Sequence, residues 1–253
     1  MKTVGLIRVI SGPPGEKREA HAALLRTTYP SLQIVTDAIE GFPHGIYNQE
    51  LARKAVPAIL SVAGRLAPRV DALAVSCADD PGVAELRRRY SRPVVGAGSC
   101  LAAACLALGE KVGVLTITEN LPTPLRTALD EASLVWQHVS GVQDTTNLAV
   151  AQEAILRTAT ELVEQGCTAL ALACTGFSTV GTATFLGQQL NVLVLDPVLA
   201  MGAMLSASLY QTSKEVIEDR TVQKNFAKGT ERLKEGTREQ SKMVCPAGLD
   251  SRS

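Results

Sequence analysis

The chain has 253 residues, of which 46% are hydrophobic and 20% charged, and its 25 basic and 25 acidic side chains give a formal net charge of zero. This length suffices for one large domain or two small ones, and the balanced charge disfavours nucleic acid and anionic membrane surfaces as partners. The N-terminal apolar run is too short for a signal peptide, and no stretch approaches the roughly 18 apolar residues of a transmembrane helix, so a cytoplasmic location is expected.

Short apolar runs alternate with longer helical patterns along the chain, which is the rhythm of βαβ units in a parallel sheet. The predicted strands are residues 4–10, 32–36, 71–76, 93–96, 112–117, 134–138, 168–173 and 191–195. The predicted helices are residues 16–28, 48–66, 81–90, 99–108, 123–131, 147–165, 179–188 and 198–211. Strands that read as continuous apolar runs are typical of a sheet that is buried on both faces.

The order of these pieces repeats along the chain. Residues 4–9 (VGLIRV) resemble residues 112–117 (VGVLTI), and residues 71–77 (DALAVSC) match residues 168–174 (TALALAC) at four of seven positions. A short predicted strand follows each member of the second pair. Three pieces repeated in the same order indicate an ancient duplication, and therefore an α/β fold made of two pseudo-symmetric lobes with parallel sheets.

The repeat also sets the expected boundaries. Residues 1–97 form the first lobe and residues 98–197 form the second. The chain becomes polar from Gln211 onward, and residues 223–253 are predicted to be a disordered tail. This tail contains Cys245, to which the sequence assigns no role.

Each copy of the repeated strand ends in a cysteine, Cys77 in the first half and Cys174 in the second. Ligands bind beyond the carboxyl ends of the strands in open parallel sheets, so both thiols are expected at a ligand site. Asp80 and Pro81 suit the N-cap and first position of a following helix. The partial positive charge of a helix N-terminus is expected to lower the pKa of each nearby thiol.

Two such thiols suit the inversion of a carbon stereocentre, because inversion requires proton removal from one face and proton delivery to the other. Backbone N–H groups in the turns Ala78-Asp79 and Thr175-Gly176 would stabilise the enolate-like charge that develops. This chemistry needs neither a metal nor an organic cofactor. The remaining cysteines of the two halves are interpreted as structural: Cys100, Cys105 and Cys167. The sequence has no CxxC or HxxxH pair, which disfavours a zinc site.

The same residues resemble a known family, the aspartate/glutamate/hydantoin racemases. The first motif reads SCADDPGVAELRR, followed by RPVVGAGS and KVGVLTITE, and the second reads ALACTGFSTV, followed by NVLVLDPVLA. The resemblance is closest to the hydantoin racemase branch and covers roughly residues 4–210. It implies two flavodoxin-like lobes with an active site at their interface, and cofactor-independent racemisation by Cys77 and Cys174.

The resemblance further implies substrate contacts in the turns after each cysteine and after the first strand of each lobe. The residues at these positions are Ser11, Ala78, Asp79, Thr116, Thr118, Thr175 and Gly176. It also implies that the end of the chain, residues 198–222, packs back onto the first lobe. Many hydantoin racemases carry an Asn-Pro-Asn turn after the first strand, whereas this sequence reads Ser11-Gly12-Pro13-Pro14, so both amino acids and hydantoins remain open as substrates.

Two further features admit alternative interpretations. Arg8 lies in an apolar predicted strand, where it either pairs with a carboxylate such as Asp196 or binds a substrate carboxylate in the cleft. Gly96-Ala97-Gly98-Ser99 follows a strand and opens a helix, but the third glycine of a dinucleotide fingerprint is replaced by Leu101. Nucleotide binding is therefore disfavoured, and Ser99 is interpreted as a helix N-cap or as part of a loop near the cleft.

Other functions stay open on the sequence alone. Related folds support decarboxylation and cis–trans isomerisation of small carboxylic acids, and two lobes around a cleft also describe a non-catalytic small-molecule binder. A cysteine hydrolase is disfavoured, because no histidine lies near either cysteine motif in the sequence. The expected partner is a small molecule, and apolar helix faces such as residues 99–108 leave room for a homo-oligomer.

Overall fold

The structure, a computed structural model, describes residues 1–11, 15–109, 111–129 and 134–210. The predicted tail at 223–253, with Cys245, lies outside the described residues. So does the part of the predicted 198–222 segment that follows residue 210.

Two parallel sheets of four strands form the framework, with the same strand order in each half. The first sheet has the order β2-β1-β3-β4 and comprises β1 (Lys2–Arg8), β2 (Leu32–Ala38), β3 (Ala72–Ser76) and β4 (Val94–Gly96). The second has the order β6-β5-β7-β8 and comprises β5 (Val112–Thr116), β6 (Leu134–His138), β7 (Ala169–Leu172) and β8 (Leu193–Leu195). All eight predicted strands are present, and the α/β fold with two parallel-sheet lobes is confirmed.

Helices pack on these sheets and connect the strands. They are α1 (Glu16–Thr28), α2 (Gln49–Leu66), α3 (Val83–Arg89), α4 (Ala97–Leu108), α5 (Thr123–Ala128), α6 (Gln152–Glu164), α7 (Gly176–Thr179), α8 (Thr182–Leu190) and α9 (Pro197–Leu209). Two predicted helices are divided. A 3₁₀ turn, Asn147–Val150, precedes α6, and Gly181, whose φ of +70° is in the left-handed region, separates α7 from α8.

The pairing register shows that the two halves are equivalent residue by residue. Val4 of β1 pairs with Ala72 of β3, and Val112 of β5 pairs with Ala169 of β7. These are the residues that the sequence repeat aligns. The repeat is therefore a repeat of structure, in which the last residue of β1, Arg8, corresponds in register to the last residue of β5.

Matching glycines in β1 and β5 reinforce this equivalence. A Cβ on Gly5 would lie 3.1 Å from Leu73 Cδ2, and a Cβ on Gly113 would lie 3.1 Å from both Leu170 Cδ2 and Cys167 Sγ. Both strands thus lie so close to the neighbouring side chains that a methyl group would force these side chains to move. Cys167 is buried and fills part of this space, as a small apolar side chain does.

The last described helix packs against the first lobe. Val198, Met201 and Leu205 of α9 are fully buried in one apolar cluster with side chains of β1 and α1. The Tyr29 hydroxyl donates a hydrogen bond of 2.8 Å to the Leu199 carbonyl, and a Cβ on Gly202 would lie 2.3 Å from the Tyr29 ring. None of the helices in the described ranges is long and apolar enough to cross a membrane.

Candidate active site

The carboxyl ends of the central strands of both lobes open onto one cavity of about 1100 Å³. Parallel strands present the turns that follow them at the same edge of the sheet, which is where open α/β sheets bind ligands. Nine of the ten residues predicted for the site line this cavity: Arg8, Ser11, Cys77, Ala78, Asp79, Thr118, Cys174, Thr175 and Gly176. The two cysteines, one from each lobe, therefore share a single cavity.

Thr116 is the exception among the predicted site residues. Its side chain is fully buried, and its hydroxyl donates a hydrogen bond of 2.5 Å to the Thr118 carbonyl. The Thr118 hydroxyl in turn donates to the Asn120 carbonyl. The structure thus corrects the prediction for Thr116, because this hydroxyl shapes the loop after β5 and does not line the cavity.

The two cysteines are held in the same way. The Gly176 N–H donates to Cys174 Sγ over 3.3 Å, and the Asp79 N–H donates to Cys77 Sγ. In both halves the donor lies two residues after the sulfur. Both thiols are buried in the wall, with Cys77 5% and Cys174 6% exposed, so little of either side chain is in contact with solvent.

The expectation that helix N-termini lower the thiol pKa is wrong. Burial raises the pKa of Cys174 to about 11, although hydrogen bonds from Gly176 and Phe177 and the charge of Arg8 oppose the shift. Burial raises the pKa of Cys77 further, and the Asp79 and Asp80 carboxylates add to this rise. Desolvation is the larger effect at both sulfurs. The first N–H groups of α7 do lower the pKa of Cys174, but this helix has only four residues, and α3 begins six residues after Cys77.

Arg8, at the end of β1, places a positive charge in the cavity wall. Its side chain is only 4% exposed, and burial lowers its pKa to about 10, with Cys174 and Glu19 opposing the shift. The guanidinium therefore stays protonated at neutral pH. Its electrostatic interaction with Cys174 favours the thiolate of this cysteine over that of Cys77.

Asp196, the carboxylate considered as a partner for Arg8, faces a different set of donors. It accepts a hydrogen bond of 2.8 Å from the Ser178 hydroxyl, and further bonds of 2.8 and 3.0 Å from the N–H groups of Val198 and Leu199. These N–H groups belong to the first turn of α9. Asp196 thus acts as an N-terminal cap for this helix.

The sequence predicted that Asp80 caps the helix that follows it. In the structure Asp80 instead caps α4. Its carboxylate accepts hydrogen bonds of 2.7 Å from the Gly98 N–H and 2.8 Å from the Ser99 N–H. A Cβ on Gly96 would lie 2.2 Å from the Asp80 carboxyl carbon, and one on Gly98 would lie 1.9 Å from the Ala78 carbonyl oxygen. The glycine-rich stretch therefore makes room for a carboxylate of this chain at the place where a nucleotide fold would hold phosphate.

Hydrogen bonds cross from lobe to lobe around the cavity. Asp79 Oδ1 accepts a bond of 2.8 Å from the Thr123 N–H at the start of α5. At the rim, the Thr145 hydroxyl donates to the His44 carbonyl over 2.9 Å, and His44 Nδ1 lies 3.3 Å from Asp144 Oδ2. The side chain of Asp79 thus connects the turn after Cys77 to the second lobe.

Sequence reasoning missed His21, which lies in the cavity wall and is only 1% exposed. Its Nδ1 is 2.7 Å from the Ser76 hydroxyl, and its Nε2 is 2.9 Å from the Thr179 hydroxyl. The available signal was its position one turn before the buried Leu25 on α1, since a polar ring on a buried helix face needs partners. The identity of those partners was not visible, because both are distant in sequence.

No cluster of three or more His, Cys, Asp or Glu side chains that could bind a metal ion occurs in the part of the chain that the structure describes. The titratable groups that line the cavity include the two thiols and the side chains of Arg8, His21 and Asp79. The arrangement can carry protons at two separate points of one site.

Comparisons with known structures agree with this fold. Allantoin racemase from Klebsiella pneumoniae is 23% identical, with a TM-score of 0.65 over 82% of this chain and 87% of that one. Allantoin racemase from Pseudomonas fluorescens is 20% identical, with a TM-score of 0.69 over 81% and 89%. A variant of arylmalonate decarboxylase (TM-score 0.60) and the maleate isomerase of Pseudomonas putida S16 (TM-score 0.57), both 16% identical, share the fold.

Sequence similarity extends across both halves. A protein of Schizosaccharomyces pombe, C1F7.10, is 29% identical over 163 residues, which are 58% of this chain and 68% of that protein. The model of the Asp/Glu/Hydantoin racemase family matches residues 17–205, a span that includes both cysteines of the cavity. The chain belongs to the Asp/Glu/hydantoin racemase family.

Proposed function

We propose that this protein is a cofactor-independent racemase that inverts the α-carbon of a small amino-acid or hydantoin-type substrate, with Cys77 and Cys174 as its two proton carriers. One observation carries the proposal: thiols from equivalent positions of the two lobes line one cavity, each with a backbone N–H directed at its sulfur. This is the arrangement that a two-base inversion requires.

The reaction begins with one cysteine as thiolate and the other as thiol. Arg8 favours the thiolate of Cys174, which removes the α-proton from one face of the substrate. The electron pair of the broken C–H bond passes to the adjacent carbonyl as an enolate. Cys77 then delivers its proton to the opposite face, which leaves Cys77 as thiolate and Cys174 as thiol. The opposite enantiomer reacts from this second state.

The raised thiol pKa values suit this step in one respect. A C–H bond next to a carbonyl is a weak acid, so a thiolate of high pKa removes its proton with a smaller energy deficit than an ordinary thiolate would. The disadvantage is a small thiolate fraction at neutral pH. The reaction is therefore expected to accelerate as the pH rises.

The substrate is a separate question. The allantoin racemases among the structural neighbours support hydantoin-type rings, whereas Arg8 in the wall supports a carboxylate of an amino acid. The test is a chiral assay in deuterated water over amino acids and 5-substituted hydantoins. A single enantiomer of the correct substrate is expected to lose its optical activity while deuterium enters the α-position.

Cysteine variants test the mechanism. Cys77→Ala and Cys174→Ala are each expected to abolish racemisation, because either change leaves one face of the carbon without a proton carrier. Cys105→Ala is the matched control, since Cys105 is a buried thiol of α4 that does not line the cavity. Near-native turnover by either cavity variant would rule out the two-base mechanism.

A second candidate is cis–trans isomerisation or decarboxylation of a small carboxylic acid, which the maleate isomerase and the arylmalonate decarboxylase variant among the structural neighbours support. Maleate and substituted malonates belong in the same substrate panel for this reason. Turnover of either, without inversion of any amino acid or hydantoin, would favour this candidate. A non-catalytic binder would bind a member of the panel and convert none.

A further inference from the structure

His21 connects the strand that precedes Cys77 with the short helix that follows Cys174. Its imidazole belongs to α1 of the first lobe, is 1% exposed, and has a hydroxyl group within hydrogen-bonding distance of each ring nitrogen. Ser76, at 2.7 Å from Nδ1, belongs to the first lobe, and Thr179, at 2.9 Å from Nε2, belongs to the second. A planar ring held at both nitrogens has little freedom to rotate or to shift.

Both partners belong to the segments that carry the cysteines. Ser76 is the last residue of β3 and immediately precedes Cys77, while Thr179 ends α7, the short helix that begins two residues after Cys174. A second bond joins the same two segments, because the Thr175 hydroxyl donates to the Ser76 carbonyl over 3.2 Å. The turn of one cysteine is thus linked to the turn of the other by His21 and by Thr175.

Other hydrogen bonds between the lobes join different segments. The Asp79–Thr123 bond joins the turn after Cys77 to α5, and the bonds of His44 join two exposed loops. Only a link between the segments that carry the cysteines acts directly on the distance between the sulfurs. Removal of the imidazole would also leave the buried hydroxyl of Ser76 and the half-buried hydroxyl of Thr179 without this partner, which favours relaxation of that distance.

We propose that His21 is a positioning residue that fixes the separation of the Cys77 and Cys174 thiols on opposite faces of the bound carbon. The inference rests on the proposed two-cysteine racemisation and adds a residue to it. Inversion needs both thiols in place at once, whereas removal and return of a proton on one face needs only one. Loss of His21 therefore impairs inversion more than it impairs isotope exchange.

Two variants divide the contacts of the ring. His21→Asn places an amide near the position of Nδ1 and keeps a partner for Ser76, and His21→Gln reaches toward Nε2 and keeps a partner for Thr179. Each is expected to lower kcat for inversion about tenfold with KM nearly unchanged, since small displacements of catalytic groups cost on this order. Deuterium exchange without inversion is expected to increase relative to inversion in both.

His44→Gln is the matched control, because His44 also contacts the opposite lobe but does not line the cavity. Its ratio of exchange to inversion is expected to match that of the unchanged protein. If a His21 variant fails to fold, Thr179→Val removes one of the two contacts at a half-buried position and takes its place in the same assay. An unchanged ratio in the folded His21 or Thr179 variants would overturn the proposal.

A second measurement does not depend on activity. Dibromobimane joins two thiols only when they are close, and peptide mapping after reaction at alkaline pH identifies the joined pair. The unchanged protein is expected to give a Cys77–Cys174 adduct, and the His21 variants are expected to give less of it, with more singly alkylated product. Equal yields of the bridged adduct would contradict the positioning role. A protein that bridges normally but racemises nothing would instead refute the proposed function.

Discussion

Asp80 and Ser99 connect the turn after the first cavity cysteine to the start of α4, because the Asp80 carboxylate accepts hydrogen bonds from both the backbone N–H and the hydroxyl of Ser99. α4 follows β4 and leads into β5, so it is the segment through which the chain passes from one lobe to the other. The contact therefore holds the turn after Cys77 against the segment that connects the two lobes.

Loss of this carboxylate is expected to destabilise the fold. Asp80→Ala removes a buried cap and leaves the N–H groups of α4 without their acceptor, which should lower the free energy of unfolding by about 2 kcal/mol. Urea denaturation measures this change. Glu85→Ala, which removes an exposed ion pair with Arg88, is the control and should cost less than about 0.5 kcal/mol. Equal effects of the two substitutions would refute the capping role.

Two glycine substitutions are expected to act in opposite directions. A Cβ on Gly98 would lie 1.9 Å from the Ala78 carbonyl oxygen, so Gly98→Ala should displace the turn after Cys77, with a cost of about 2–4 kcal/mol. A Cβ on Gly64, in the exposed interior of α2, meets no atom within 4 Å. Gly64→Ala should therefore stabilise the protein by about 0.5–1 kcal/mol. Thermal and urea unfolding of both variants test the pair, and a stable Gly98→Ala protein would contradict the close approach.

Alkylation of the thiols should be slow at neutral pH. A thiol reacts as the thiolate, and burial holds the pKa of Cys174 at about 11 and that of Cys77 higher still. The rate at Cys174 is therefore expected to increase about tenfold for each unit of pH up to its pKa. Iodoacetamide labelling with peptide mapping measures each site, and rapid labelling of either cysteine in the free protein at neutral pH would disprove the raised pKa.

Arg8 should influence the two cysteines unequally. Its charge lowers the pKa of Cys174, so Arg8→Met is expected to move the alkylation profile of Cys174 to higher pH and to leave that of Cys77 nearly unchanged. Arg8→Lys keeps a charge and should restore most of the profile. If Arg8 also binds a substrate carboxylate, Arg8→Met will increase KM for amino acids more than for uncharged hydantoins. Identical profiles for Cys174 in the two variants would exclude the electrostatic effect.

The framework of this fold could be predicted from the sequence because its signals are local. Continuous apolar runs located all eight strands, and the repeat of DALAVSC as TALALAC identified the two equivalent cysteines. These signals are strong because a parallel strand covered on both faces admits few polar residues. The expectation of a ligand site at the carboxyl ends of these strands followed from the same signals, whereas the family resemblance implied that the site lies between the lobes.

The contacts that surround the cysteines could be predicted less well from the sequence. The sequence predicted that Asp80 caps the next helix, but its carboxylate accepts a hydrogen bond from the Gly98 N–H of α4, 18 residues further along the chain. His21 carries no sequence motif, and its partners are 55 and 158 residues distant. The predicted direction of the thiol pKa shift is wrong because local helix signals contain no information about burial. The extent of burial is determined only by the packing of the lobes.

The equivalence of the two halves is not complete. Arg8 ends β1, whereas the corresponding position of β5 is Thr116, so the guanidinium charge near Cys174 is not repeated at the equivalent position of the second lobe. A racemase built in this way cannot alter the equilibrium between mirror images, so kcat/KM for the two enantiomers must agree. The separate values of kcat and KM need not agree. The enantiomer whose proton is removed by the better-stabilised thiolate can differ from its mirror image in both kcat and KM, as long as the two constants change by the same factor.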